Sequence, residues 1–344
     1  MMKQTIYNDS KTYSYFTNAD AEKTEIPEKA VFAAVEGEYI VPTLLQKEYS
    51  SVDEILAKID ETDLAIIEEI GRSKFLNSLQ IYELLSLRGI SINRNNLRKK
   101  IMKLMRYRVI RESVIMAPKV EKGIRYYEVE GKGFVIARER GVLFHSGNSY
   151  MSYVKRLEQD KIDTPSSVKR ILVGNMVVIN ALKNGVRMLR FGINETFLVE
   201  NEDGCVIDGA ILRVPATIKI DDNSVLAYEV VRNTPDALEK LTDKVERYYS
   251  LLHNERYLFS NHHGDTNVFP QLIICGESLE HNKKIANYLR TMDLWREEDP
   301  ILFTEDLLNI RDSVKSIYEL KDEERIWYLL PLVNENDKEG RETA

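Results

Sequence analysis

The chain has 344 residues, 43% of them apolar and 30% charged, which is enough apolar material for packed cores and enough length for two domains. Its longest apolar runs, such as Val177-Val178-Ile179, are far too short to span a bilayer, and the start Met1-Met2-Lys3-Gln4-Thr5 has no apolar signal core, so we expect a cytoplasmic protein with no membrane partner. The net charge of −7 would argue against a polyanionic partner if charge were spread evenly, but nine basic residues and no Asp or Glu fall between Arg88 and Arg111.

Residues 1–50 read as a partly ordered arm with a strand over Ala30–Val35 and a hairpin at Glu36-Gly37-Glu38. Ser51 and Glu54 have capping-box spacing and open a first helix. A second helix covers about Asp63 to Gly71, with Leu64, Ile67 and Ile70 turned inward. Asn77 and Gln80 cap a third, which carries Ile81, Leu84 and Leu85 and stops at Gly89. A fourth begins after Asn93, where Leu97, Ile101, Leu104 and Met105 make one apolar stripe. Two alternating segments follow, Val109–Met116 and Ile124–Val129, joined by a loop holding Lys119 and Lys122. Gly131–Arg138 reads as a closing helix.

Helix, helix, basic helix, basic-tipped hairpin is the order of a winged helix-turn-helix domain, placed at 51–145. The fourth helix would enter the major groove, with Arg94, Asn95, Arg98, Lys99, Lys103 and Arg106 as candidate DNA contacts. Arginine and lysine neutralise phosphates or read guanine edges, and asparagine reads adenine. Lys119, Lys122 and Arg125 would contact the backbone from the hairpin.

After the polar stretch His145–Ser149, a second domain is expected over 150–330, with a polar tail over 331–344. A helix from Pro165 to Gly185 carries Val168, Leu172, Met176 and Ile179 on one face. Strands are expected at Val186–Phe191, Thr196–Glu200, Val206–Leu212 and Val225–Val231, with a turn at Asp221-Asp222-Asn223. A long amphipathic helix follows Thr234-Pro235, then a buried strand at Gln271–Cys275 and a helix from Leu279 to about Met292. The last segment, Glu319–Trp327, reads as a charged helix, with Ile326 to Leu330 in a buried role. The fold class is therefore α+β, with a mixed sheet in an α/β sandwich whose strand–helix–strand step allows a parallel pair. Cys205 and Cys275 lack metal or redox spacing and read as small buried residues.

Several stretches in this order resemble the replication-relaxation family of bacterial plasmids and mobile elements. They are Asp63-Leu64-Ala65-Ile66-Ile67, Arg125 to Gly133, Ile207-Asp208-Gly209-Ala210, Leu226 to Arg232, and Leu241 to Tyr249. The resemblance implies a winged helix joined to a restriction-endonuclease-like domain of the PD-(D/E)xK type. It points to Asp208 and Glu229 as the carboxylates that would hold Mg²⁺ in an active nuclease. The motif lysine is replaced by Val231, and Arg232 one residue on falls on the opposite strand face and stays protonated. A lysine from the next helix, Lys240 or Lys244, is the remaining source of that group, and no catalytic residue or metal is expected.

The leading expectation is a non-enzymatic DNA-binding factor of a plasmid or mobile element, acting in replication, mobilisation or their regulation, without a cofactor. Its partners would be double-stranded DNA and replication or conjugation proteins. A homodimer would suit a palindromic site, although no heptad zipper enforces one. The alternatives are a Mg²⁺-dependent nuclease or nickase using Asp208 and Glu229, and a protein-interaction module of a conjugation or replication assembly. His262-His263-Gly264-Asp265 reads as a solvated loop, and neither a phosphate-binding lysine loop nor a Gly-x-Ser-x-Gly elbow is present.

Overall fold

A computed structural model describes residues 32–43, 48, 50–118, 123–142, 163–199, 212–222, 224–252, 257–259, 270–295, 301–321 and 323–328. The N-terminal half is helical with a three-stranded sheet. Its elements are β1 (Tyr39–Pro42), α1 (Val52–Leu56), α2 (Glu61–Ser73), α3 (Ser78–Leu87), α4 (Arg94–Arg106), β2 (Ile110–Met116), β3 (Ile124–Val129) and α5 (Gly131–Glu139). Their starts are chemically marked. Ser51 with Glu54, Asp60 with Asp63, and Asn77 with Gln80 each form reciprocal capping boxes, and the Asn93 side chain accepts from the Asn96 amide at the start of α4. The expected hairpin is present, running in register from Ile110 opposite Val129 to Ile115 opposite Ile124.

The arm is where expectation and structure part. Residues 33–35 are not a strand; a turn at Glu36-Gly37, with Gly37 at φ +74, leads into β1, which pairs antiparallel with β2 from Tyr39 opposite Met116 to Pro42 opposite Ser113. A strand was expected before the turn because Ala30–Val35 is the more apolar run. The strand lies instead where β2 offers an open edge.

The C-terminal half comprises α6 (Pro165–Lys183), β4 (Arg190–Val199), β5 (Leu212–Asp221), β6 (Ser224–Val230), α7 (Ala237–Leu252), β7 (Tyr257–Phe259), β8 (Pro270–Gly276), α8 (Leu279–Thr291), β9 (Leu302–Glu305), α9 (Asp306–Asp312), β10 (Tyr318–Lys321) and β11 (Glu324–Trp327). Eight strands form one mixed sheet in the order β11-β10-β9-β8-β6-β5-β4-β7. The neighbours β6/β8 and β8/β9 are parallel and the other pairs antiparallel. One sheet face packs on α6 and the other on α7 and α8. The mixed α+β class and the parallel step across α7 agree with the sequence.

Several boundaries differ. The two strands expected at Val186–Phe191 and Thr196–Glu200 are one strand, β4. Its backbone passes through the left-handed region at Asn194, φ +53, without losing register with β5. Gly192 and Asn194 look like turn residues, yet pairing along β5 carries the strand through them. β5 itself extends to Asp221 through Pro215, a residue that normally demotes a central strand. The segment Glu319–Trp327 is the β10–β11 hairpin rather than a helix, because β9 supplies an edge for β10. Ile326, Trp327 and Tyr328 are exposed, at 47%, 49% and 43%, not buried.

Helix α6 is buried nearly all round, not on one face alone. Its inner face meets the sheet at Gly174, where an added Cβ would come within 2.8 Å of the Pro215 carbonyl oxygen. Its other face meets the N-terminal half. Gln80 Nε2 donates to the Leu172 carbonyl at 2.6 Å, and Asn175 Nδ2 donates to the Phe75 carbonyl at 2.8 Å. Phe32, Phe75, Leu79, Ile115 and Tyr126 share one apolar cluster with α6 and the sheet. The two halves therefore pack through a common core, although the segment expected to separate them, 143–162, lies outside the described residues.

Candidate nucleic-acid interface

Helix α4 buries Leu97, Ile101, Leu104 and Met105, the stripe expected from its spacing. That fixes which side chains face water. Arg94, Asn95, Asn96, Arg98, Lys99 and Arg106 are exposed, and Arg125 is exposed on β3.

Ion pairs then sort the nine basic residues between Arg88 and Arg111. Arg88 meets Glu68 and Glu69 at 3.0 and 2.9 Å. Lys100 lies 2.5 Å from Asp60 and 3.4 Å from Asp63, and Lys103 lies 2.5 Å from the other oxygen of Asp63. Arg108 pairs with Glu130 at 3.3 Å, and Arg111 with Glu128 at 2.6 Å. These five balance acids contributed by α2, β3 and the chain around them. Lys103, named above as a DNA contact, thus points its ammonium back at α2, because Asp63 is fully buried and requires a counter-charge.

Arg98, Lys99 and Arg106 remain on the solvent side, and Arg94 is exposed at the start of α4. Arg98, Lys99 and Arg106 line a concavity of about 410 Å³ with Met102, Lys103, Tyr107 and Glu48. The first turn of α4 contains no acid, and its amide end favours an anion. Lys119 and Lys122 lie outside the described residues.

In the second half, Glu229 sits near the end of β6, 3% exposed. Its Oε1 accepts from Arg170 Nη2 of α6 at 2.6 Å and its Oε2 from Lys244 Nζ of α7 at 2.6 Å. Arg170 Nε also donates to the Val230 carbonyl at 2.8 Å, and Lys244 to the Arg213 carbonyl at 3.1 Å. Burial brings the Lys244 amine down to about 8, with the Arg170 charge adding to the effect. Val231 is buried in the apolar cluster with Leu241 and Val245. Arg232 turns the other way, into a fully buried two-point pair with Asp306 at 2.6 and 2.8 Å. Asp208 and the His262–Asp265 loop lie outside the described residues. Among the described residues no three His, Cys, Asp or Glu side chains gather as a metal site.

The sequence reading had no signal for Arg170, which is 59 positions from Glu229. Lys244 had one: with Lys240 it was a lysine of the next helix that could reach back to the carboxylate, and it is the one that reaches Glu229.

No helix among the described residues is long and apolar enough to cross a membrane. Comparison with family models, with curated proteins and with solved structures finds no match to any of them.

Proposed function

We propose that the chain binds duplex DNA without cutting it, through a winged helix in which α4 enters the major groove and the β2–β3 hairpin flanks the backbone. The observation that carries this reading is the face of Asn95, Arg98, Lys99 and Arg106, which stays outward after five neighbouring cations are tied to acids of the fold, with Arg94 exposed at the start of the helix. Exposed arginine and lysine on an acid-free helix face recognise phosphates and guanine, and Asn95 offers the donor–acceptor pair that suits adenine. The order α6, β4, β5, β6, α7, β8 supports reading the second half as a nuclease-like domain. Glu229, with both carboxylate oxygens engaged by cations, supports a domain that binds rather than cleaves, while Lys244, on Glu229 although Val231 holds the motif position, is the observation that favours the nuclease alternative. A role in replication or mobilisation of a plasmid or mobile element follows from the resemblance described above.

Fluorescence anisotropy with labelled duplexes from about 50 to 200 mM salt tests this, a range over which several phosphate contacts lower affinity steeply. Arg98→Ala with Lys99→Ala is expected to weaken binding by about tenfold or more and to flatten the log–log salt slope by about 2. Lys103→Ala is expected to leave the slope unchanged and to lower the melting temperature, because it removes the nearer of the two cations that face the buried Asp63. Equal affinity of the Arg98/Lys99 variant and the native chain would refute the groove assignment.

A further inference from the structure

Between the start of α6, the end of β6 and the first turns of α7 lies a cleft of about 620 Å³, within the range of small-ligand sites. Arg170, Lys244, Lys240 and Glu229 line it, with Ser166 and Ser167 at the start of α6. Its outer wall is the strap of residues 34–38. That strap is held from behind. The buried Lys169 ammonium binds Glu38 and the Ala33 carbonyl, and the Ala34 amide donates to Glu277 at 2.7 Å.

Of the cations lining the cleft, Arg232 is taken up by Asp306 and Lys240 by Asp236, and Glu36 and Glu38 also face it. Arg170 and Lys244 are not used up by the fold: the two share the single carboxylate of Glu229. A guanidinium has five N–H groups, and those of Arg170 account for one bond to Glu229 and one to the Val230 carbonyl. An ammonium has three, and Lys244 directs one to Glu229 and one to the Arg213 carbonyl. Glu229 holds both heads side by side in the manner of a clamp. The Ser166 amide, in the first turn of a 19-residue helix, adds a donor at the positive end of that helix. Planar guanidinium, ammonium and helix amides converging on one space suit a tetrahedral oxyanion.

The cleft also borders the hairpin. A Cβ at Gly37 would approach Pro118 Cγ to 3.0 Å, so the strap touches the loop that joins β2 to β3. We propose that the cleft binds a phosphate group of a nucleotide, held by Arg170, Lys244 and the amide end of α6. The source is either a nucleic-acid strand guided there by the hairpin or a free nucleotide; only the first of these rests on the DNA-binding reading.

Calorimetric titration of the full chain with thymidine 5′-phosphate, with pentathymidylate and with unphosphorylated thymidine tests this. Saturable binding of a phosphate-bearing probe, and none of thymidine, is the expected result. Arg170→Gln should weaken that binding at least tenfold. Lys240→Glu, which replaces an exposed ion pair with Asp236 by two like charges at the cleft, should weaken it several-fold. Arg98→Ala with Lys99→Ala should leave it unchanged. Binding should also decline as pH rises through about 8, where Lys244 loses its proton among Arg170, Glu229 and Arg213 while the phosphate monoester stays dianionic. Tighter binding of pentathymidylate than of the mononucleotide identifies a strand as the source, and the reverse a free nucleotide. Absence of saturable binding by any phosphate probe, or wild-type binding by both Arg170→Gln and Lys240→Glu, would overturn the site. Loss of duplex binding in the α4 variant alongside such a null result would leave the DNA-binding reading standing.

Discussion

Replacing Asp306 by Ala is expected to destabilise the protein by about 3–5 kcal/mol, the usual cost of removing one partner of a buried ion pair. Asp306 opens α9 and is 1% exposed, and Arg232 is as deeply buried. Burial acts to lower the Arg232 pKa, and the Asp306 carboxylate more than reverses that, holding the guanidinium firmly protonated. Truncation would leave a cation that cannot shed its proton, with only the Phe32 and Cys275 carbonyls, at 3.2 and 3.4 Å, to solvate it. The Phe32 contact ties the pair to the strap, so that segment should loosen too. Replacing both partners, Arg232→Met with Asp306→Leu, should recover most of the loss, because the desolvation of both charges disappears together. Urea unfolding of the two variants measures this. A midpoint for Asp306→Ala close to that of the native chain would show that the pair contributes little.

The second large effect is expected at Gly133. An added Cβ there would lie 2.1 Å from the Val109 carbonyl oxygen and 2.7 Å from Val129 Cγ1. The carbonyl is backbone and already accepts from the Glu130 amide at 2.8 Å, so it cannot give way without opening the turn between β3 and α5. Gly133→Ala should therefore cost about 3 kcal/mol, at the upper end of what overpacking a core normally costs. Two residues earlier, a Cβ on Gly131 meets nothing within 4 Å. Gly131→Ala should be neutral or stabilising by up to about 1 kcal/mol, since alanine restricts the unfolded chain. Comparable stabilisation of both variants, read by thermal melting, would mean that helix propensity rather than the close approach governs this turn.

Both sites depend on contacts that join distant segments, and the same distinction separates what was legible in the chain from what was not. The caps at Ser51, Asn77 and Asn93, the apolar stripe of α4 and the β2–β3 hairpin were all readable. Each is decided by residues a few positions apart, where backbone donors and side-chain period leave little choice. The outward face of Arg98 and Lys99 follows from that stripe in the same way.

Which cations stay outward was not readable. Lys103 and Arg106 look alike in sequence, and only the folding of α2 against α4 brings Asp63 to one of them. The pairing of β1 with β2 and the β10–β11 hairpin were likewise misread, because a strand forms where another strand presents an open edge, whatever its own propensity. Glu229 could be picked out as a carboxylate at a strand end, but its partners come from α6 and α7, 59 and 15 positions away. The sequence by itself determined α1 to α5, the β2–β3 hairpin, their order and the basic face of α4, since these rest on local hydrogen bonding and periodicity. The tertiary structure alone decided the two-sided burial of α6, the neutralised cations and the cleft around Glu229, since each requires charges or apolar faces far apart in the chain to share one low-dielectric space.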